Sequence, residues 1–346
     1  MESYYSLLEY APNYEKAIPF SEIKHEHLYE LLCEFIKKNN LNHVLISLSG
    51  GVDSMVLFEL LYHIIQNNSV DLKLELCHIN YNNRDESNQE KDFLIEYCKN
   101  KNYDLHYIDL DFKRCEIKRD IYEKQSRSIR YTLYRELCIK YKLDGVFLAH
   151  HEDDLVENIF NNIMRGNREI TDLTVLKEQN EILDVHIFRP LLAIRKNKIY
   201  EIAHKYQIPY FLDTTPNWSC RGKMRNNIFP QCIDCYTEKY KDNLLRLGQE
   251  SDDLNIIINE YILKDLIQKV SFKNGNIEII KEKIIQEKYI LKKLLLQISH
   301  KYSLNLKFKI IDTILQNYHK NIKLSMNKEY NVNITTDKII IIKSKC

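Results

Sequence analysis

The amino-acid sequence predicts an α/β protein, in which a parallel sheet covered by helices is followed by a smaller, mainly helical domain. Three observations predict it. Short apolar runs alternate with helical stretches between residues 26 and 206, the pattern of strands joined by helical crossovers. A Gly-Gly turn joins one such run to a helix at Leu45-Ile46-Ser47-Leu48-Ser49-Gly50-Gly51-Val52-Asp53-Ser54. The residues richest in chemistry follow directly on the runs, and ligands of such sheets gather beyond the carboxyl ends of the strands.

Taken in order, residues 1–24 are polar and aromatic and read as a partly ordered N-terminal arm. Glu26 to Lys38 places Leu28, Leu31, Leu32, Phe35 and Ile36 at helical spacing. His43 to Ser47 contains the continuous apolar run Val44-Leu45-Ile46, suited to a strand buried on both faces. Val52 to Leu61 has helical spacing. Leu72 to Ile79 alternates like a strand, and Ser87 to Asn100 is an amphipathic helix. Leu105 to Leu110 is a third strand, Ile117 to Lys142 a long helix, and Gly145 to Ala149 a fourth strand. Asp153 to Met164 is helical, Val185 to Phe188 a fifth strand, and Lys196 to Tyr206 a helix. Crossovers between parallel strands are right-handed.

After about Tyr236 the pattern changes. Helices are expected over Leu244 to Ile267, Ile284 to Tyr302 and Leu306 to Tyr318. A terminal hairpin follows, Tyr330 to Ile334 and Ile339 to Ile342, around Thr335-Thr336-Asp337-Lys338. The expected organisation is an arm (1–24), a sheet domain (25–230) and a mainly helical domain (231–346).

Composition limits the function. The chain has 346 residues, 44% hydrophobic and 29% charged, with a formal net charge of +1. Any nucleic-acid partner must therefore be met by a local basic patch rather than a global field. No apolar run is long enough for a membrane span, so no membrane partner is expected. The start, Met1-Glu2-Ser3-Tyr4-Tyr5, lacks the basic and apolar parts of a secretory signal. The nine cysteines are odd in number and dispersed, which fits a reducing, cytoplasmic compartment. Cys232-Ile233-Asp234-Cys235 with Cys220 supplies three possible zinc ligands, but no second Cys-x-x-Cys completes the set. The plainer reading is ordinary thiols near a helix start.

The Gly-Gly turn carries the first chemical signal. A strand, a glycine turn and a helix N-terminus make an anion cradle, because backbone N–H groups and the helix dipole point at the ligand. Ser49 and Ser54 add hydroxyls. Asp53 would repel a bare phosphate, and makes sense if a divalent cation bridges carboxylate and phosphate. The spacing is not that of the kinase and GTPase loop, which needs Gly-x-x-x-x-Gly-Lys.

The second signal is Ala149-His150-His151-Glu152-Asp153-Asp154-Leu155-Val156-Glu157. Asp154 and Glu157 are three apart on a helix, so their carboxylates face one way. Such a cluster can bind a metal, help hold a metal–nucleotide, or anchor a cationic substrate. On its own it also fits an acidic helix start. A further helix pairs Arg127 with Arg130 in Ser126-Arg127-Ser128-Ile129-Arg130-Tyr131. Between Arg189 and Arg225 lie eight Lys or Arg against Glu201 and Asp213. That stripe can track phosphates, with Trp218 or Tyr210 placed to stack on a flipped base.

Ser49-Gly50-Gly51-Val52-Asp53-Ser54, His78-x-Asn80, Ser126-Arg127-x-x-Arg130-Tyr131, Ala149-His150-His151-x-Asp153-Asp154-x-x-Glu157 and Arg165-Gly166 occur in order. With Arg189-Pro190-Leu191-Leu192, and Asp213 leading to Arg225-Asn226, they resemble the tRNA(Ile)-lysidine synthetases of the PP-loop ATP-pyrophosphatase superfamily. The resemblance runs from about Leu41 to Pro230 and more weakly beyond. It implies a Rossmann-like sheet of the PP-loop type and an ATP-dependent ligase that forms a carbon–nitrogen bond. ATP with Mg²⁺ would adenylate the C2 carbonyl of the wobble cytidine of a CAU-anticodon isoleucine tRNA, and free L-lysine would displace AMP.

By the same resemblance, Ser49, Gly50, Gly51, Val52, Asp53, Ser54 and His78 hold ATP, and Asp53 holds the metal. Asp53, Arg127, Arg130, His150, Asp154 and Glu157 are the catalytic group. Asp154, Glu157, Arg189, Arg225 and Asn226 meet lysine or tRNA, and from the basic stripe itself, outside the resemblance, Arg195 and Trp218 are added to that group. The family pattern Arg-Asn-x-Ile-Arg ends here as Arg225-Asn226-Asn227-Ile228-Phe229, with one arginine missing. Trp218-Ser219-Cys220-Arg221-Gly222 also departs from common bacterial members. Two rivals stand beside this reading: a related PP-loop tRNA thiolase using Cys220, Cys232 and Cys235, and a catalytically silent tRNA-binding protein. The second domain is expected to grip tRNA, though composition also admits a dimerisation role and hence a homodimer.

Overall fold

In a computed structural model of the chain, the described residues are 18–82, 86–112, 118–166, 168–212, 219–273, 276–282, 285, 287–304, 306, 308–325 and 330–343. Most of the expected arm lies outside them, as do Asp213 and Trp218. The chain divides into two compact units, 1–169 with 173–248, and 170–172 with 249–346. Residues 231–248 go with the first unit.

The first unit is built on six strands: β1 (His43–Ser47), β2 (Lys73–Asn80), β3 (Leu105–Asp109), β4 (Gly145–Phe147), β5 (Gln179–Ile182) and β6 (Val185–Phe188). Their order is β3-β2-β1-β4-β6-β5. β1 is central, parallel to β2 and to β4, with Val44 opposite both Leu74 and Gly145. Both of its faces are covered, as its unbroken apolar run requires. Val44 and Ile46 join the cluster holding Leu57 and Leu60 of the helix Val52–Gln66. Leu45 faces the other way, with Tyr131 and Tyr134 of the helix Arg119–Tyr141. The order reverses direction between β1 and β4, and a crevice for ligands forms at such a switch point.

β5 is an addition to the expected strands and runs antiparallel to β6. The sheet is thus mainly parallel with one antiparallel edge. The second unit contains more strand than expected. Its terminal hairpin, β10 (Tyr330–Ile334) and β11 (Lys338–Lys343), lies within a five-stranded antiparallel sheet. The other strands are β7 (Ser271–Lys273), β8 (Asn276–Ile280) and β9 (Ile322–Ser325), in the order β7-β8-β11-β10-β9. The helices Lys288–Lys301 and Phe308–Asn317 pack Leu294, Ile298, Ile311 and Ile314 into one buried cluster with Val332, Ile334, Ile339 and Ile341.

Candidate active site

The glycine turn is built from its own hydroxyls. Ser54 Oγ accepts from the Ser49 N–H at 3.1 Å and donates to the Gly51 carbonyl at 3.0 Å. The Ser49 hydroxyl lies 3.0 Å from Ser54 Oγ and accepts from the Gly51 N–H at 3.3 Å. Ser49 and Ser54 therefore shape the loop. Gly50 has φ of 84°, and a Cβ there would stand 2.8 Å from the Phe211 ring. The helix Val52–Gln66 opens at Gly51 with no side-chain cap, so its first N–H groups keep no partner within the helix. That is the arrangement an anion uses. His78 is buried, and Nδ1 meets the Leu48 carbonyl at 2.8 Å. Burial lowers its pKa. It props the loop from beneath.

The two motifs, about a hundred residues apart in the chain, meet at His151. This buried imidazole places Nε2 3.6 Å from Asp53 Oδ1 and 3.4 Å from Asp154 Oδ2. The helix Glu152–Arg165 begins at His151, whose backbone N–H donates to Asp154 Oδ2 at 3.2 Å. On its other side Asp53 is gripped by Lys196, whose Nζ donates to Oδ1 at 2.8 Å and Oδ2 at 2.6 Å.

Asp154 and Glu157 lie side by side and buried. Both face Arg225, whose NH2 group reaches Asp154 Oδ1 at 3.3 Å and Glu157 Oε2 at 3.2 Å, while its Nε donates to Glu157 Oε1. Arg221 adds a contact to Glu157 at 3.7 Å. Burial alone would raise the pKa of Asp154, but the imidazoles of His151 and His150 and the Arg221 guanidinium outweigh it and hold the carboxyl below its usual range. His150 is pushed down to about 4, first by burial away from water and then by Arg189, Arg221 and Arg130, with Asp154 opposing. Its Nδ1 is buried without a partner.

The remaining expected residues are spread more widely. Arg127 is exposed. Arg130 is half-buried and donates to the Tyr81 hydroxyl at 3.1 Å. Arg189 is not part of an exposed stripe: it is only 2% exposed and donates to the Lys177 carbonyl and Asn180 Oδ1, both at 2.7 Å. It follows directly on β6, which carries its side chain inward. Tyr210 is buried too, its hydroxyl 2.8 Å from His204 Nε2, so it presents no ring for stacking. Arg195 pairs with Glu152 at 3.0 Å and with Asp242. Asn226 is exposed. Trp218 lies outside the described residues. Cys220 Sγ is 3.8 Å from Asn161 Oδ1. Among the described residues, no group of three or more His, Cys, Asp or Glu is placed to hold a metal.

His151 and Lys196 are additions that sequence reasoning passed over. His151 stood beside His150 in the motif with no sign of which ring turns inward. Lys196 looked like one more member of a basic helix.

The fold and the site define a PP-loop domain, and residues 24–232 match the family model of that description. The tRNA(Ile)-lysidine synthase of Staphylococcus aureus (strain COL) is 32% identical over 231 residues, 66% of this chain and 52% of that protein. That of Chlamydia trachomatis serovar D is 30% identical over 253 residues, 72% of this chain and 75% of that protein. The chain belongs to the tRNA(Ile)-lysidine synthase family of PP-loop proteins. It spans about half the length of the Staphylococcus relative. The solved U34-tRNA thiolase NcsA from Methanococcus maripaludis shares the fold, with a TM-score of 0.53 at 15% identity, covering 73% of this chain and 89% of that one.

Proposed function

We propose that the chain is an ATP-dependent tRNA-modifying ligase. It adenylates the C2 carbonyl of the wobble cytidine of an isoleucine tRNA and joins that carbon to the ε-amine of free lysine. The products are lysidine, AMP and pyrophosphate. One observation carries the reading: Asp53 at the phosphate loop and Asp154 of the acidic cluster share the His151 imidazole. A nucleotide on the loop and a cationic substrate at the cluster would then be neighbours.

The residues fit a metal–nucleotide. Gly50 lets the loop turn at φ 84° hard against Phe211, the helix end at Gly51 is uncapped, and Asp53 offers carboxylate oxygens to Mg²⁺. ATP supplies the electrophilic phosphorus and the pyrophosphate leaving group. Ser49, Gly50, Gly51, Val52 and Ser54 hold the phosphates. Arg127 and Arg130 balance charge that develops there. Asp154 and Glu157 take the lysine ammonium, a cation exchanged for the Arg225 guanidinium. His150 is neutral at pH 7, because its pKa lies near 4. Its unpartnered Nδ1 is free to accept a proton from the amine.

In this reading the first unit is the adenylating part and the second unit, which holds residues 249–346, the tRNA-gripping part. Residues 249–346 contain 17 lysines against 11 carboxylates, where the whole chain carries only +1. Such an excess suits a phosphate backbone.

The test is mass spectrometry of nucleosides from a CAU-anticodon isoleucine tRNA incubated with ATP, Mg²⁺ and isotope-labelled lysine. The expected product is labelled lysidine in place of the wobble cytidine. Unmodified cytidine with the protein folded and ATP present would refute the reading.

A further inference from the structure

Within the basic stripe between Arg189 and Arg225, Lys196 and Lys198 share one helix but have different surroundings. Lys198, two residues on, is a surface residue whose side chain is 65% exposed and paired with Glu201. Lys196 is 24% exposed and points at Asp53, touching both carboxylate oxygens. Its backbone is fixed as well. The Lys196 N–H donates to Asp153 Oδ2 at 3.0 Å, and the Glu152 N–H donates to the Ile194 carbonyl at 2.9 Å. Two hydrogen bonds thus stitch the turn 194–196 to the start of the acidic helix. The Tyr200 ring lies 5.4 Å from the ammonium and lines its path. A long, flexible lysine is delivered to the mouth of the phosphate loop by a rigid turn.

Asp53 is also the carboxylate to which the metal is assigned above. An ammonium and a divalent cation cannot both sit on it without strong repulsion. With those oxygens given over to Mg²⁺, the ammonium would have to leave them, while the Lys196 backbone remains tied to Asp153. The ligand within reach is then the anion that arrives with the metal. Lysine suits this role, being a compact charge on a stem long enough to move a few ångströms.

We propose that Lys196 binds the pyrophosphate portion of the nucleotide, and that its pair with Asp53 holds the empty site together until the metal-bound phosphate replaces it. This rests on the nucleotide-binding reading of the loop. Two measurements test it. In the first, lysine acylation in the wild-type protein is mapped by mass spectrometry. Lys196 is expected to become more reactive with Mg²⁺ alone and to be protected by Mg²⁺ with inorganic pyrophosphate, while Lys198 stays unchanged. In the second, calorimetric titration with Mg²⁺-pyrophosphate compares wild type, Lys196→Met, Lys196→Arg and Lys198→Met.

Lys196→Met is expected to weaken binding by about tenfold or more, Lys196→Arg to recover part of it, and Lys198→Met to match wild type. A folded Lys196→Met that binds within roughly twofold of wild type overturns the proposal, leaving Lys196 a packing partner of Asp53. Unchanged acylation of Lys196 on adding pyrophosphate overturns it also, and needs no variant to fold. A wild-type protein that binds neither pyrophosphate nor ATP overturns the nucleotide reading itself, and this inference with it.

Discussion

At Gly50 the chain takes a left-handed backbone conformation with the Phe211 ring against it, and the Phe211 N–H donates to the Gly50 carbonyl at 2.9 Å. A side chain there meets two penalties: an unfavourable φ, about 1–2 kcal/mol, and a collision with an aromatic ring. Gly50→Ala is therefore expected to lower the melting temperature by several degrees and to abolish ATP-dependent turnover. Adding Phe211→Ala removes the collision but not the backbone penalty, so it should recover only part of the stability. Gly50 was legible in the sequence because a glycine pair between an apolar run and a helix has few other uses. Lys196 and Asp53 are 143 residues apart, and no local pattern encodes such a pair. The inward turn of His151, like the burial of Arg189, is likewise set by packing and not by spacing.

Two histidines make stability depend on pH. His150 and His63 are each pushed down to about 4, His63 first by burial and then by Lys101. Unfolded, each titrates near roughly 6.5. Between those values the unfolded chain binds more protons than the folded one, so stability rises with pH across that window. The contribution is complete above about pH 6.5 and is lost as pH falls toward 4. Replacing both histidines by glutamine is expected to flatten the rise in melting temperature over that interval, leaving the part due to other groups. A rise as steep as in wild type would contradict the assignment of these shifts to burial.

Among the elements, the β5–β6 hairpin shows why an edge strand escaped detection. Ile182 pairs with Val185, leaving a two-residue turn of Leu183 and Asp184, with φ of 50° and 61°. Turns of this kind favour Asn-Gly or Asp-Gly, and neither residue here announces one. β5 itself, Gln179-Asn180-Glu181-Ile182, has a single apolar residue. Leu183 is 56% exposed, so little packing holds it in place. Leu183→Asn with Asp184→Gly is expected to raise stability by about 1 kcal/mol, read as an upward shift in thermal midpoint. The stretch from Cys220 to Tyr236 shows the opposite case. The sequence offers a loop leading to Arg225-Asn226 and a helix start near Cys232, but the whole stretch runs as a helix through a π-helical segment at Met224–Ile228. That segment aims Arg225 at the acidic pair. Phe229, standing where the family pattern has arginine, is buried between Phe160 and Tyr240, with ring centroids 5.5 and 5.7 Å away. The position of the missing arginine has become part of an apolar cluster.

For the whole molecule, the sign of the net charge is uninformative and its distribution is what matters. The chain carries +1, yet residues 249–346 alone hold a surplus of six positive charges and not one arginine. Lysine is a mobile point charge and reads phosphate without fixing base identity. On the proposed function, binding through this part is expected to be strongly salt-dependent and weakly sequence-dependent, with choice of the target base left to the sheet domain. Lys309 and Lys323 are exposed. Lys309→Glu with Lys323→Glu is expected to weaken tRNA binding at low salt and to reduce the slope of log affinity against log salt by about one for each phosphate no longer neutralised. Binding of Mg²⁺-pyrophosphate should stay at the wild-type value, since the residues proposed to hold it all belong to the first unit. Filter binding across a salt series beside calorimetry on the same preparations separates the two. An unchanged salt slope would move the RNA-gripping surface away from these lysines, and a parallel loss of pyrophosphate binding would show that the substitutions had disturbed the fold rather than the grip on RNA.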